Sequence, residues 1–333
     1  MKKIIAVLLA LTVALTLAAC QQENETDDRP VVITTLFPQY DFTRQIAGDS
    51  VKVDYLLPPG TSAHSYDPSP QDVIDILEAD LLIYTGDTME PWVESAILSS
   101  SMNDDLEVLD LSEHVELIDK DHDHHHDEED HDGHDDEDTH DDEDTHDDED
   151  AHGDVDPHIW NDPLNAIEMV DAIESALEDI VDEDDHDAIV QNTDAYTQEL
   201  MTYHEDVLHV LEHSSHDVIM HGGHNAFGYF VRRYDLEYVT PYEGFSTDSE
   251  PTPGAISDMV DTMNDHGVDT LFAETLIDPR VAEAISEETG AEILYLHSAG
   301  NVSKEAFEDG ITFMDMMREN LETFKEGLDY DEE

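Results

Sequence analysis

Short runs of apolar, often β-branched residues alternate along the chain with amphipathic stretches. In the first part of the chain these patterns predict strands over 31–36, 51–57, 81–84 and 106–109, and helices over 41–47, 71–79 and 90–98. In the last part they predict strands over 217–220, 236–239, 268–272 and 291–296, and helices over 226–234, 253–265, 279–289 and 307–324. Strands that alternate with helices are typical of parallel sheets covered by helices, so the sequence predicts an α/β fold.

Two longer helical stretches, 164–181 and 188–213, interrupt the alternation in the middle of the chain. The second carries Val207, Leu208 and Leu211 at helical spacing. Because the alternation restarts after it, we expect two βα lobes with parallel sheets, joined by one long helix. The expected boundaries are an N-terminal lobe at 31–187, a linking helix at 188–214 and a C-terminal lobe at 215–328.

The first twenty residues have the polarity of a secretory signal. Two lysines precede an apolar run, Ile4–Ala18, that is too short to span a membrane comfortably. The run ends in Leu-Ala-Ala-Cys20, which resembles a bacterial lipobox and predicts lipidation of Cys20 after cleavage, followed by a tether at 21–30. An ordinary signal peptide with an incidental cysteine is the alternative. Cys20 is the only cysteine, which excludes a disulfide within one molecule.

The net charge is extreme, with 86 Asp and Glu residues against 12 Lys and Arg residues and a formal charge of −74. Such a chain repels nucleic acids and anionic lipid head groups, so neither is expected as a partner. The acidic residues are spread over the predicted helices as well as the loops, a pattern that favours adaptation to high salt. Metal capture is a second explanation for the acid, and the two can coexist.

The segment 120–153 consists almost entirely of Asp, Glu and His and repeats the unit Asp-Asp-Glu-Asp-Thr-His, ending at His140 and His146. A segment of this composition cannot bury a core, so we expect a disordered surface insertion. Its imidazoles and carboxylates predict weak binding of several Zn²⁺ ions. The alternative is a solvated charge run in which the histidines are incidental.

Three histidines follow predicted strands, where open α/β sheets place their ligand sites. His64 lies in the loop 58–70, His158 lies between two prolines, and His224 follows the strand at 217–220. Three neutral imidazoles suit Zn²⁺, whereas a manganese site is expected to contain more oxygen ligands. In a chain with 21 histidines, each one alone is more often a surface residue than a ligand.

Four segments resemble, in order, the motifs of metal-binding periplasmic solute-binding proteins of the cluster A-I, or zinc-uptake, type. The segments are Thr34–Pro38, Pro58–Pro68, Asp156–Pro163 and His224–Phe230. The resemblance runs from Val31 to Leu328 and implies a metal site in the cleft between the lobes, with His64, His158 and His224 as ligands. Many manganese relatives carry glutamate at the position of His224, so this histidine favours zinc.

The chain departs from the family pattern at one position. Relatives often place a fourth, carboxylate ligand just after the last strand, where this chain reads Leu296-His297-Ser298. His297 is therefore a candidate fourth ligand, although water or a histidine of the insertion could fill the position and a supporting or surface role suits His297 as well. Glu274 and Asp278 lie near the end of a predicted strand, and we expect them to cap a helix or to be solvated; a distant contribution to the site is the alternative. His221 is close in sequence to His224, but the family context follows His224.

The resemblance implies an extracytoplasmic protein, lipid-anchored through Cys20, that delivers Zn²⁺ to the permease of an ABC-type importer. The alternatives are a manganese- or iron-binding homologue, a surface zinc store or adhesin, and, as the rival class, a zinc hydrolase. The sequence contains no His-Glu-x-x-His motif, no Gly-x-Ser-x-Gly motif and no Gly-rich phosphate loop, which argues against an enzyme.

Overall fold

The computed structural model of the protein describes residues 27–99, 105–118, 155–246 and 250–332. The predicted signal peptide, Cys20 and the whole histidine-rich segment 120–153 lie outside the described residues. Within the described part of the chain, no helix combines the length and the apolar character needed to cross a membrane.

The N-terminal lobe is built on a four-stranded parallel sheet. Its strands are β1 (Val31–Thr34), β2 (Lys52–Tyr55), β3 (Leu81–Tyr84) and β4 (Glu107–Asp110), in the order β2-β1-β3-β4. The two central strands β1 and β3 are almost fully buried, which explains why the sequence there is a continuous apolar run instead of an alternating one. The predicted parallel sheet is confirmed for this lobe.

Helices cover this sheet, and local sequence signals fix where they begin. They are α1 (Phe37–Ala47), α2 (Pro70–Leu77), a single π-helical turn at Glu94–Leu98, and α3 (Pro163–Ile180). Ser69 and Asp72 form a capping box before α2, and Asp162 accepts a hydrogen bond from the first turn of α3. A proline follows each of these two caps, at the position where a missing N–H costs nothing.

One long helix, α4 (Glu183–Glu212), connects the lobes. It starts five residues before the predicted Ala188, because Asp182 takes an extended N-cap conformation and acidic residues fill the first turn. Its buried positions recur every three or four residues from Ile189 to Val210 and face α1, α3 and the last helix of the chain. A single helix therefore contributes to the core along its whole length.

The C-terminal lobe repeats the strand order of the N-terminal lobe. Its strands are β5 (Val218–Met220), β6 (Glu237–Val239), β7 (Thr270–Glu274) and β8 (Glu292–Leu296), and the parallel pairs are β5-β6 and β7-β8. Immediately after β5, the backbone N–H of His221 donates to Val239 and that of Gly222 donates to Phe272, which joins the two pairs. The order β6-β5-β7-β8 matches β2-β1-β3-β4. In both lobes, the loops after the first strand and its neighbours therefore lie at the carboxyl edge of the sheet.

The helices of the C-terminal lobe are α5 (Gly228–Tyr234), α6 (Pro253–His266), α7 (Arg280–Thr289), α8 (Lys304–Asp309) and α9 (Phe313–Gly327). The prediction of one helix over 307–324 is wrong, because two helices share this region. Gly310 adopts a left-handed conformation with φ of 79° and ends α8, and Thr312 with Asp315 forms a capping box that starts α9.

The segment Ser298–Val302 of the C-terminal lobe holds the N-terminal lobe in place. The carbonyl of Ser298 accepts from the indole of Trp160 at 2.8 Å. The side-chain amide of Asn301 donates to the carbonyls of Pro58 and Thr61 at 3.0 and 2.6 Å. The side-chain oxygen of Asn301 accepts from the hydroxyl of Tyr55 at 2.8 Å. These bonds join the two lobes at the base of the loop that carries His64.

We expect Asn301→Ala to lower the free energy of unfolding by about 1–3 kcal/mol, because the substitution leaves two carbonyls and one hydroxyl without their partner at a largely buried position. Urea unfolding followed by tryptophan fluorescence measures the change. Asn264→Ala is the control, since the Asn264 amide makes one exposed bond within α6. Equal stability of the two variants would contradict the proposed role of Asn301.

Candidate metal centre

The structure brings His64, His158 and His224 together. His64 lies on a short turn, Ala63–Ser65, in the loop after β2. His158 precedes the turn Ile159–Asn161, and His224 lies between β5 and α5. One ring nitrogen from each of the three histidines lies within 4.8 Å of the others. His158 and His224 are buried and His64 is half-buried, so the cluster lies at the bottom of the cleft between the lobes.

The spacing of the ring nitrogens suits a single tetrahedral cation. The Nε2 atom of His158 is 3.2 Å from the Nε2 atoms of both His64 and His224. Two nitrogen ligands at 2.0–2.1 Å from a tetrahedral zinc ion are separated by about 3.3 Å. The three rings are mutually inclined at 61° to 84°, with centroids 5.0–5.3 Å apart, so they converge on one point and are not stacked.

Two buried carboxylates fix the orientation of two of these rings. The Nδ1 atom of His158 lies 2.8 Å from Asp156, and the Nδ1 atom of His224 lies 2.7 Å from Glu274. Asp156 also accepts from the backbone N–H of His158 at 2.9 Å. A carboxylate at Nδ1 selects the tautomer with the proton on that nitrogen and leaves the Nε2 lone pair for a metal. Both carboxylates are at most 2% exposed.

The pKa values within the cluster follow from burial and from these pairs. Burial lowers the pKa of His64 to about 2, with a further contribution from His158 and His224. Burial also lowers the pKa of His158 against the opposing effect of Asp156. Burial opposes protonation of His224, but the adjacent charge of Glu274 outweighs it and raises the pKa. Burial likewise disfavours the charged form of Glu274, but pairing with His224 lowers the carboxyl pKa to about 2. Of the three rings, His224 therefore takes up an additional proton most readily, and that proton competes with a cation for Nε2.

His297 does not join the cluster. Its Nε2 atom lies 2.8 Å from the carboxylate of Glu319, and its Nδ1 atom lies 3.3 Å from the hydroxyl of Thr275. The backbone N–H of His297 donates to Asn320. These contacts direct the ring toward α9 and away from the three histidines, because Glu319 and Asn320 occupy the helix face next to it. The position is that of a residue supporting the C-terminal lobe.

Asp156 is a site residue that the sequence analysis missed, and Glu274 is one for which it favoured another role. The expectation of a capping or solvated role is wrong for Glu274, which ends β7 inside the cleft and bonds to His224. It is confirmed for Asp278, which accepts from the backbone N–H of Arg280 at the start of α7. The available signal for Glu274 was its position at the carboxyl end of a buried strand. Asp156 could have been found from its position two residues before His158.

His221 lies outside the cluster of three. Its Nδ1 atom contacts the hydroxyl of Tyr238 at 2.8 Å, and the ring is fully buried beside Phe227. Gly223 leaves the room that this arrangement needs, because a Cβ atom there would lie 2.6 Å from Glu274 and 2.8 Å from the ring of His221. The preference for His224 over His221, made from the sequence context, agrees with this placement.

The cavity in front of the histidines has a volume of about 80 Å³. Apolar side chains form part of its wall, among them Met89, Trp160, Leu276 and Ile277. This volume accommodates an ion with a few water molecules and is far below the several hundred Å³ typical of pockets for organic ligands. The site therefore fits a small cation.

We expect Glu274→Gln to weaken zinc binding at neutral pH by about 10–100-fold. The glutamine oxygen can still accept from Nδ1 of His224, but the charge that raises the pKa of His224 is lost. Protons then compete less at low pH, so the fall in affinity between about pH 7.5 and about pH 5 becomes shallower. Competition with a chromogenic chelator across this range measures both effects.

Asp278→Asn is the matched control for Glu274→Gln. Asp278 lies four residues further along, is exposed, and bonds to Arg280 and not to the cluster. We expect this variant to keep the affinity and the pH profile of the unmodified protein. Identical profiles for all three proteins would show that Glu274 does not act on His224.

The sequence of the chain is similar to those of known zinc-uptake proteins. Residues 32–327 match the model of the ZnuA family, described as zinc-uptake complex component A, periplasmic. The chain is 29% identical to the high-affinity zinc uptake system protein ZnuA of Bacillus subtilis, over 90% of this chain and 88% of that protein. It is 27% identical to the zinc-binding lipoprotein AdcA of Streptococcus pneumoniae, over 99% of this chain but only 62% of AdcA.

The two-lobed architecture is also found in solved structures. The metal-dependent lipoprotein YcdH of Bacillus subtilis superposes with a TM-score of 0.72 at 26% identity, over 90% of this chain and 99% of that chain. This likeness spans both lobes and confirms the predicted α/β fold of two lobes with parallel sheets. The family match covers almost the whole described region, from β1 to α9. The chain belongs to the ZnuA family of zinc-uptake solute-binding proteins.

Proposed function

We propose that the protein captures Zn²⁺ outside the cytoplasm with His64, His158 and His224 and delivers the ion to the permease of an ABC-type importer. The observation that carries the proposal is the convergence of three imidazoles, with Nε2 of His158 3.2 Å from Nε2 of both His64 and His224, and with buried carboxylates behind His158 and His224. The family match and the zinc-binding names of the two relatives support it.

The donor set supports zinc over manganese. All three converging atoms are imidazole nitrogens, which suit zinc, and manganese prefers oxygen ligands. The two carboxylates nearest the cluster are turned toward Nδ1 atoms and hold the rings, which leaves the nitrogens to face the cation. The fourth position of a tetrahedral zinc ion faces the cleft, where water can fill it.

Both lobes contribute ligands, so binding joins them. In the proposed division, His64 and His158 belong to the lobe at 31–187 and His224 to the lobe at 215–328, and 188–214 forms the link. The observed helix α4 starts at Glu183, inside the proposed N-terminal lobe, and packs along the core. Because a continuous helix restricts opening of the lobes, zinc release requires docking on the permease.

The proposed location is the cell surface or the periplasm, anchored to the membrane by a lipid on Cys20. The signal-like residues 1–20 support it, and so does the word lipoprotein in the name of AdcA. The formal charge of −74 supports work at high salt concentration, where screening reduces repulsion within the chain. The same charge disfavours anionic partners.

The arrangement of the site supports zinc binding over the activity of a zinc-dependent hydrolase. A zinc hydrolase needs a general base beside the metal-bound water. Here one oxygen of Asp156 and one of Glu274 hold histidine Nδ1 atoms, and the small cavity has no room for a peptide or an ester beside the ion. The manganese-binding alternative and the surface-store alternative share the same site and are separated by experiment.

We expect His64→Ala to abolish retention of one tightly bound zinc ion per chain, because the variant leaves only two converging imidazoles. His297→Ala is the matched control, and we expect it to retain the ion since His297 bonds to Glu319. Native mass spectrometry in the presence of excess Mn²⁺ measures retention. Loss of zinc in both variants would assign a ligand role to His297, and displacement by Mn²⁺ would contradict the proposed metal.

The histidine-rich insertion is proposed to concentrate zinc near the cleft without forming part of the tight site. The ends of the segment meet in the fold, since the backbone N–H of Asp156 donates to the carbonyl of Ile118 at 2.9 Å. A short linker can therefore replace residues 121–152 without straining either lobe.

We expect deletion of 121–152 to preserve one tightly bound zinc ion and to remove the additional, weakly bound ions. Equilibrium dialysis with increasing zinc measures both classes, and the same deletion in the His64→Ala background serves as the control without the tight site. Loss of the tight ion on deletion alone would place some of its ligands in the insertion.

A further inference from the structure

A pair of histidines outside the cleft cluster lies at the end of the linking helix. His209 lies in the last turn of α4 and His213 is the C-cap residue four positions later, with ring centroids 4.4 Å apart. Residues at this spacing lie on the same face of a helix. His209 is exposed and His213 is half-buried, so the pair is open to solvent.

The sequence around the pair reads His209-Val-Leu-Glu212-His213. Two histidines at positions i and i+4 of a helix are the metal-holding element of zinc peptidases with the motif His-Glu-x-x-His and of those with the reversed motif His-x-x-Glu-His. The second order is the one found here. The described surroundings contain only two histidine ligands and no substrate cleft around them, so the spacing points to metal binding and not to catalysis.

The hydrogen bonds of the two rings leave one nitrogen of each available. The Nδ1 atom of His213 lies 2.8 Å from the carbonyl of His209, which fixes the proton on Nδ1 and leaves the lone pair on Nε2. The Nε2 atom of His209 has a 3.3 Å contact with the hydroxyl of Tyr330. A contact of this length is weak and can be exchanged for a metal bond.

A capping role explains part of this arrangement. Histidines near the end of a helix bond to its last carbonyl groups and interact favourably with the helix dipole. The bond from His213 to His209 is such a cap, and it uses only one nitrogen of one ring. Capping uses only the backbone carbonyl of His209. It requires neither the imidazole of His209 nor the close approach of the two rings, whereas chelation requires both.

The surroundings favour a cation. Glu205, Asp206 and Glu212 are exposed on the same two turns of α4. Together with the formal charge of −74, they raise the local concentration of divalent cations near the pair.

We propose that His209 and His213 form a second, surface-exposed binding site for a divalent transition-metal ion, with zinc as the ion the protein meets. Each ring supplies its Nε2 atom, and solvent completes the coordination. With two protein ligands in place of three, this site binds zinc more weakly than the cluster in the cleft. The proposal does not depend on the proposed transport function, because it involves none of the cleft residues.

Footprinting of the full chain with diethyl pyrocarbonate tests this proposal, because mass spectrometry reports the modification of each histidine separately. The probe is ZnCl₂ alone at increasing concentration. We expect His209 and His213 to become protected together, with the same half-point. In His209→Ala, we expect the half-point for protection of His213 to rise roughly tenfold or more, because the second imidazole no longer binds intramolecularly.

Three further variants separate the site from a capping effect and from the cleft. His213→Asn keeps a donor for the carbonyl of His209, so the cap is preserved, but we expect protection of His209 to be lost. His216→Ala and His64→Ala should leave both half-points unchanged. The proposal is overturned if His213 is protected at the same zinc concentration in His209→Ala, or if neither histidine is protected when the insertion histidines are.

Discussion

The structure of the site depends on two buried pairs of a carboxylate and an imidazole, Asp156 with His158 and Glu274 with His224. A buried carboxylate is costly unless it is paired, and a buried imidazole has several possible orientations unless a partner selects one. Each pair solves both problems at once. The cost of burying the charge is offset within the pair, and the Nε2 atoms are held at the spacing that a tetrahedral cation requires.

The repeated strand order explains how distant parts of the chain supply one site. In both lobes the first strand is central, so the loops that leave its carboxyl end and those of its neighbours meet at one edge. His64 follows β2 and His224 follows β5, and the two sheet edges face each other across the cleft. The bonds of Asn301 to Pro58, Thr61 and Tyr55 then fix the distance between the edges.

The sequence predicted the strands and the three histidines that the fold brings together, because both depend on local signals. The strand at Leu81–Tyr84 is a continuous apolar run with clear ends. His64 and His224 lie in loops after strands, and His158 lies between two prolines. The break at Gly310 was missed because apolar residues continue at helical spacing across it, and the left-handed glycine decides the outcome. The role of Glu274 was missed because its partner His224 is fifty residues away, and only the parallel sheet brings them together.

The three rings are not held equally, and this difference bears on how an ion leaves. His158 and His224 each have a buried carboxylate on Nδ1, and both side chains are almost fully covered. Among the described residues, the hydrogen-bond contact of the His64 ring is with Nε2 of His158 alone. His64 also lies on a loop whose position depends on the interlobe bonds of Asn301. A partner that breaks the bonds of Asn301 to this loop would therefore free His64 before either of the other two rings moves. The ion would then be left on two ligands, which reduces its affinity without disturbing either carboxylate pair.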